Sequence, residues 1–199
     1  NINNNYNTSF GLIGGLNMDI TPINGLLWHT EVNGNYTFNN NFQFNPFYKL
    51  GQYYQGNATS GSRASSNNYW LSLNSRVQYD FNIEKHKISA MVGHEATYYA
   101  YQGLSASGKN YSTTSVQELS VADPLSSPGT SYRGDGAGES YFARLNYTYN
   151  DKYIAQFVVR RDGSSNFGPN NRWGTFPAVS LAWKISDENF MKNITFIND

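Results

Sequence analysis

Apolar and polar residues alternate with a period of two along much of this chain, which is the pattern of β-strands that are greasy on one face and wet on the other. In residues 26–38, Trp28, Thr30, Val32, Gly34, Tyr36 and Phe38 share one face, and Leu27, His29, Glu31, Asn33, Asn35 and Thr37 the other. In residues 69–81, Tyr69, Leu71, Leu73, Ser75, Val77, Tyr79 and Phe81 oppose Trp70, Ser72, Asn74, Arg76, Gln78 and Asp80. In residues 87–101, Ile88, Ala90, Val92, Ala96 and Tyr98 oppose Lys87, Ser89, Glu95 and Thr97. Three further stretches repeat the pattern. Tyr141, Ala143, Leu145, Tyr147 and Tyr149 oppose Ser140, Arg144, Asn146 and Thr148; Tyr153, Ala155, Phe157 and Val159 oppose Gln156 and Arg160; and Pro177, Val179, Leu181, Trp183 and Ile185 oppose Ala178, Ser180, Ala182 and Lys184.

Each apolar face matches the roughly 9 to 11 residues with which a tilted strand crosses a bilayer. Short connections at residues 21–25, 82–86, 150–152 and 187–193 alternate with long polar ones at 39–68, 102–138 and 162–172. That order predicts an all-β chain forming an antiparallel transmembrane β-barrel segment, with tight periplasmic turns and longer extracellular loops. Residues 42–54 also alternate, yet an even number of spans must separate two turns on the same side, so this stretch is expected above the membrane. Pro46 suits such an edge better than a paired interior strand. Counting a first strand near residues 9–20 and a last one starting at Ile194, about eight strands are expected. The only helical expectation is a single turn in residues 187–192.

Composition agrees with that picture. Of 199 residues only 14% are charged, while 16% are aromatic, including 16 Tyr and 12 Phe. A soluble core of this size draws on more aliphatic residues. The net charge is zero, so nothing points to a nucleic-acid partner. With no cysteine there is no disulfide framework or thiolate chemistry. No apolar run reaches the roughly 18 residues of a spanning helix, and the opening residues Asn3, Asn4 and Asn5 do not form a secretory signal. An internal piece of a longer polypeptide is the expectation.

One region is specific enough to compare with a family. Residues 141–147, Tyr153 and Ile154, the run Arg160, Arg161, Asp162, Gly163, Ser164, Ser165, Asn166, Phe167, Gly168, Pro169, Asn170, Asn171, Arg172, Trp173, Gly174, and then Phe176, Pro177, Ala178, Val179 and Ser180, closely resemble SusC-like TonB-dependent outer-membrane transporters. Residues 22–26, 85–93 and 190–193 resemble the family's turns less specifically. The resemblance implies a bacterial outer-membrane barrel of about 22 strands. This chain would be residues 1–199 of a partial barrel domain, with the plug and the TonB-contacting segment elsewhere. It also implies import of oligosaccharides or peptides, with a SusD-like surface lipoprotein and TonB as partners and outer-membrane lipid around the wall. The competing reading is a surface adhesion or glycan-binding β-module.

The signature residues Arg160, Arg161, Asp162, Gly163, Phe167, Gly168, Pro169, Asn171, Arg172, Trp173, Phe176 and Pro177 read as structural. Asp162 is expected to accept hydrogen bonds, Gly163 to supply a positive φ, and residues 168–171 to turn. A signature common to transporters of different cargo cannot encode cargo choice. Tyr53, Tyr54, Tyr99, Tyr101, Tyr111 and Tyr132 are candidate ligand or lid contacts, because a phenol ring stacks on a sugar. Tyr79, Tyr149, Tyr153 and Trp183 fit an aromatic girdle at the membrane interfaces. His29, His86 and His94 have no metal-ligand spacing, and no catalytic constellation is present, so neither a cofactor nor an enzymatic role is expected. The stretch 102–138 is too long for a mere connection and is expected to meet the lid protein.

Overall fold

The computed structural model describes residues 4–55 and 58–191, apart from the side chains of residues 48–50 and 53–55. Among the described residues nine strands form, and seven of them make one antiparallel sheet in the order β1-β2-β5-β6-β7-β8-β9. They are β1 (Tyr6–Ile20), β2 (Leu26–Asn45), β5 (Ser60–Ile83), β6 (His86–Lys109), β7 (Gly129–Tyr149), β8 (Tyr153–Ser164) and β9 (Trp173–Trp183). The short strands β3 (Tyr48–Leu50) and β4 (Tyr53–Gln55) pair only with each other, Tyr48 opposite Gln55. Residues 42–54 are therefore the end of β2 plus a small hairpin, as the parity of the turns requires. The expected eighth spanning strand, from Ile194, lies outside the described residues.

The long connections are shorter than the alternation predicts. Residues 39–45 and 60–68 continue β2 and β5, residues 102–109 and 129–138 continue β6 and β7, and Asp162 to Ser164 finish β8. These extensions are rich in Ser, Gly, Asn and Tyr on both faces, so periodicity fades where the hydrogen-bond ladder does not. The expected helical turn in 187–192 begins earlier, as a 3-10 turn at Ile185–Asp187, followed by a Met191 N–H bond to the Glu188 carbonyl at 3.0 Å.

The tight turns have physical causes. Gly25 has φ +84° and its carbonyl accepts the Asp80 N–H at 2.8 Å, and a side chain there would run into the Asp80 carbonyl oxygen. Between β7 and β8, Asn150 and Asp151 take φ of 50° and 57°, the left-handed conformation that these two residue types tolerate.

The chain divides into two compact units. The first comprises residues 1–14, 34–70 and 99–135. Its core consists of Phe42, Phe44, Tyr111 and Ala122, with Leu119 and Val121 packed against it. Phe44 is completely buried and meets the Tyr111 ring edge-on at 5.1 Å. Residues 110–128 fold down over the strands, fastened by Arg63 to Glu118 at 2.7 Å and Asn4 to Gln117 at 2.9 Å. Asp123 accepts the Leu125 N–H at 3.0 Å and caps a 3-10 turn at Pro124–Ser126.

The second unit comprises residues 15–33, 71–98 and 136–199. Register fixes its faces: Leu145, Phe157 and Val179 lie opposite one another on one face, and Asn146, Gln156 and Ser180 on the other. The apolar face is bare, with Val179 69% and Leu181 80% exposed. On the polar face Gln156 donates to Asn146 at 2.8 Å. Such a surface has no interior to hide in, so its apolar side needs a greasy solvent.

Candidate functional site

The signature run converges on Arg160, midway along the polar face of β8. Its Nε donates to Asp162 Oδ1 at 2.6 Å, and its Nη2 donates to Ser140 Oγ at 2.9 Å and reaches Glu95 Oε2 at 3.4 Å. The guanidinium also lies 5.5 Å from the centre of the Phe142 ring. That ring in turn occupies the space a side chain on Gly93 would need. One cation thus joins β6, β7 and β8, satisfying several donors of its fork at once.

The next residue points the other way, as strand pleat demands. Arg161 lies 5.2 Å from the Trp173 ring centre, and Tyr141 stacks near the same indole at 6.1 Å. Tyr141 donates to Glu139 Oε1 at 2.6 Å, and His94 Nε2 sits 3.1 Å from the same oxygen. Gly163 keeps an ordinary strand conformation, which corrects the expected positive φ. Its missing side chain matters for another reason: the Trp173 ring lies over it, with ring atoms 2.9 Å from where a Cβ would be.

The remaining signature residues shape the connection. Pro169–Asn171 form a 3-10 turn, the Asn171 N–H bonds the Gly168 carbonyl at 2.9 Å, and Arg172 Nε donates to the Phe167 carbonyl at 3.4 Å. Phe176 covers Gly174, and Pro177 pairs with Val159. The expectation that Asp162 accepts hydrogen bonds and that residues 168–171 turn agrees with this geometry.

At the opposite end of these strands Tyr149, Tyr153 and Trp183 form one row, with the Tyr153 and Trp183 rings stacked at 6.3 Å. Tyr153 and Trp183 both donate to Glu188 Oε1, at 2.7 and 3.3 Å, and Lys152 reaches Oε2 at 3.3 Å. The Tyr153 hydrogen bond, then that of Trp183, holds the Glu188 carboxyl below its ordinary value. From this row to the row of Tyr141 and Arg161 is eight residue steps. At about 3.3 Å per step and a tilt near 40°, they cover roughly 20 Å along the membrane normal, close to the apolar band of a barrel wall.

The tyrosines singled out from sequence do not form one site. Tyr101 and Tyr132 pair at 6.2 Å, and Tyr132 borders a groove of about 670 Å³ with Tyr36, Phe38, Gln102 and Arg133. Tyr99 is half-buried. Tyr111 is buried in the first unit's core, where desolvation raises its phenol above the ordinary value and its hydroxyl finds no hydrogen-bond partner among the described residues. The side chains of Tyr53 and Tyr54 lie outside the described residues. Glu95, Ser140 and Phe142 were not singled out from sequence, since only pairing across strands brings them to Arg160. His29, His86 and His94 each have a polar partner, Asp19, Tyr147 and Glu139 respectively.

Long antiparallel strands, an apolar face bounded by aromatic rows and a polar reverse face define a segment of a transmembrane β-barrel wall. Residues 1–194 match the TonB dependent receptor-like, beta-barrel family, and the chain belongs to that family as a SusC-like member. It is 31% identical over 172 residues to the TonB-dependent receptor SusC of Bacteroides thetaiotaomicron, covering 86% of this chain and 16% of that one. The TonB-dependent receptor P39 of Formosa agariphila is 37% identical over 117 residues, 58% of this chain and 11% of its own. Among solved structures, the RagAB peptide transporter superposes with a TM-score of 0.87 at 24% identity, over 96% of this chain and 21% of that one. The RagAB peptide importer in its closed-closed state gives 0.86 at 25%, with the same coverage. The chain thus spans at most about a sixth of the length of these curated relatives.

Proposed function

We propose that this chain is part of the barrel wall of a TonB-dependent outer-membrane importer that takes up oligosaccharides or peptides beneath a SusD-like surface lipoprotein. In this reading the plug and the TonB-contacting segment belong to other parts of the polypeptide, residues 1–199 contribute wall and rim, and the chain catalyses no reaction. The observation that carries it is the two-faced sheet of β7 to β9, whose bare apolar face is bounded by aromatic rows about a membrane apart. Family membership supplies the TonB dependence, the RagAB peptide importer supports peptide as a cargo class, and oligosaccharide rests on the SusC-like resemblance.

The signature around Arg160 braces three strands and leaves its donors occupied, so it serves the wall and does not select cargo. Cargo contact falls instead to Tyr101 and Tyr132, whose rings pair on the same face of the sheet as Arg160 and can stack on a sugar or cover a peptide backbone. The covering segment 110–128 is the part offered to the lid. The experiment is uptake by cells carrying or lacking the full-length gene, using labelled oligosaccharides and peptides, with and without a protonophore. Loss of energy-dependent uptake on deletion is expected. Unchanged uptake, or a full-length protein that stays monodisperse in buffer without detergent, would overturn the reading.

A further inference from the structure

The groove of about 670 Å³ beside Tyr132 opens on the face opposite the Tyr101 and Tyr132 rings. Its lining side chains share one face by the strand pleat: Tyr36 and Phe38 on β2, Asn67 on β5, Gln102 and Leu104 on β6, and Arg133 on β7. Gly103 and Tyr132 lie between those positions and turn the other way, where the Tyr132 ring rests against Gly103. On β2 the groove face is the one that carries Trp28 and Val32, and on β7 the one that carries Leu145, so it is the lipid-facing side of the wall. The groove also falls where that side stops being apolar. The run of residues 26–38 ends in Tyr36 and Phe38, and the run of residues 69–81 stops two residues short of Asn67. Past the groove the same face is closed, because Phe42, Phe44 and Gly108 are covered by the segment carrying Tyr111 and Ala122.

We infer that this groove binds the acidic sugar headgroup of the outer leaflet's glycolipid. Its face continues the bare apolar surface, so what reaches it is the head of a lipid whose chains lie along that surface. The rings of Tyr36 and Phe38 suit the faces of sugars, and Leu104, 59% exposed, adds an apolar edge. The side-chain amides of Asn67 and Gln102 have no hydrogen-bond partner among the described residues and suit sugar hydroxyls. Arg133 is exposed and has neither a hydrogen bond nor an ion pair among the described residues. Asp135, two residues along the same face, does not line the groove and makes no ion pair with it. A free guanidinium selects a phosphate- or carboxylate-bearing sugar over a neutral or cationic head. The inference rests on the outer-membrane reading above.

The test uses the full-length transporter purified in mild detergent and stripped of bound lipid. It is offered rough-type lipopolysaccharide, a neutral digalactosyl lipid, or the lipid-free oligosaccharide that mild acid releases from the lipopolysaccharide, and native mass spectrometry reads what stays bound. Wild type is expected to retain the lipopolysaccharide roughly ten-fold better than the neutral lipid, about the worth of one charge-assisted pair. Arg133→Gln should lose that preference, and Asn67→Ala combined with Gln102→Ala should weaken retention of both glycolipids. Equal retention of the two by wild type, or an undiminished preference in the folded Arg133→Gln protein, would overturn the inference. So would lipid-free oligosaccharide held as well as the whole lipid, which would make the groove a site for free glycan. Should Arg133→Gln fail to fold, the wild-type comparison still decides. Cargo uptake by cells carrying Arg133→Gln is expected at the wild-type rate, and its loss would move the groove to the cargo path. Absence of the wild-type protein from the outer membrane on cell fractionation would refute the reading beneath, while retention in micelles still measures the groove itself.

Discussion

The tip of the Phe142 ring lies against Gly93 on the neighbouring strand, in the space where any other residue would carry its Cβ. Gly93→Ala therefore overpacks the middle of the wall beside the Arg160 cluster, and a loss of about 1–3 kcal/mol is expected. Urea unfolding of the full-length protein in detergent would measure it. Adding Phe142→Leu should return most of that loss, and failure to do so would separate the glycine's role from the ring above it.

Replacing Arg160 by Ala leaves Glu95 and Asp162 on one face without their shared cation. The group is about two-fifths exposed, so solvent screening keeps the loss near 1 kcal/mol, and Arg160→Lys should recover less than half because one nitrogen cannot stand where both Nε and Nη2 donate. The same unfolding assay reads both variants. Cargo affinity should be unchanged in either.

Glu188 gives the turn after β9 a pH dependence. Its folded-state pKa is depressed, so the stabilisation is complete above the unfolded value, about 4.3, and disappears as pH falls through the folded one. Glu188→Gln should unfold with a flatter pH profile than wild type below about pH 4.3. Tyr153→Phe, which removes the largest contributor, should move partway in the same direction. Both are measurable as heat-modifiable gel mobility across a pH series.

Tyr111 separates a structural aromatic from a binding one. Its hydroxyl is buried without a partner, so Tyr111→Phe should leave stability unchanged or raise it by up to about 1 kcal/mol, whereas Tyr111→Ala should cost about 3 kcal/mol by emptying the space against Phe44. Tyr132→Ala should do the reverse, weakening cargo binding several-fold with little change in unfolding. Isothermal titration with the transported oligosaccharide or peptide distinguishes the two.

The membrane-thick part of each strand was legible because lipid on one side and water on the other impose alternation, as in Leu145, Phe157 and Val179. Beyond the membrane both faces meet water and the pattern ends, which is why residues 60–68 and 102–109 read as loop although the ladder runs through them. The brace on Arg160 was half legible: Asp162 is two residues away, but Ser140 and Glu95 reach it only through register. Tyr111 was misplaced among candidate contacts because its neighbours are polar, yet the short apolar group Leu119, Val121 and Ala122 in the same connection was a sign that it folds inward.

Arg160 and Phe157, on opposite faces of β8, also safeguard assembly. A slip of one residue between β8 and its neighbours would exchange their faces, turning Arg160 away from Ser140 and Glu95 toward hydrocarbon and bringing Phe157 in among polar side chains. Arg160 and Phe157 thereby penalise the nearest wrong pairing from both faces, so the stretch most recognisable to a reader of the sequence is also one the folding chain can use to proofread itself.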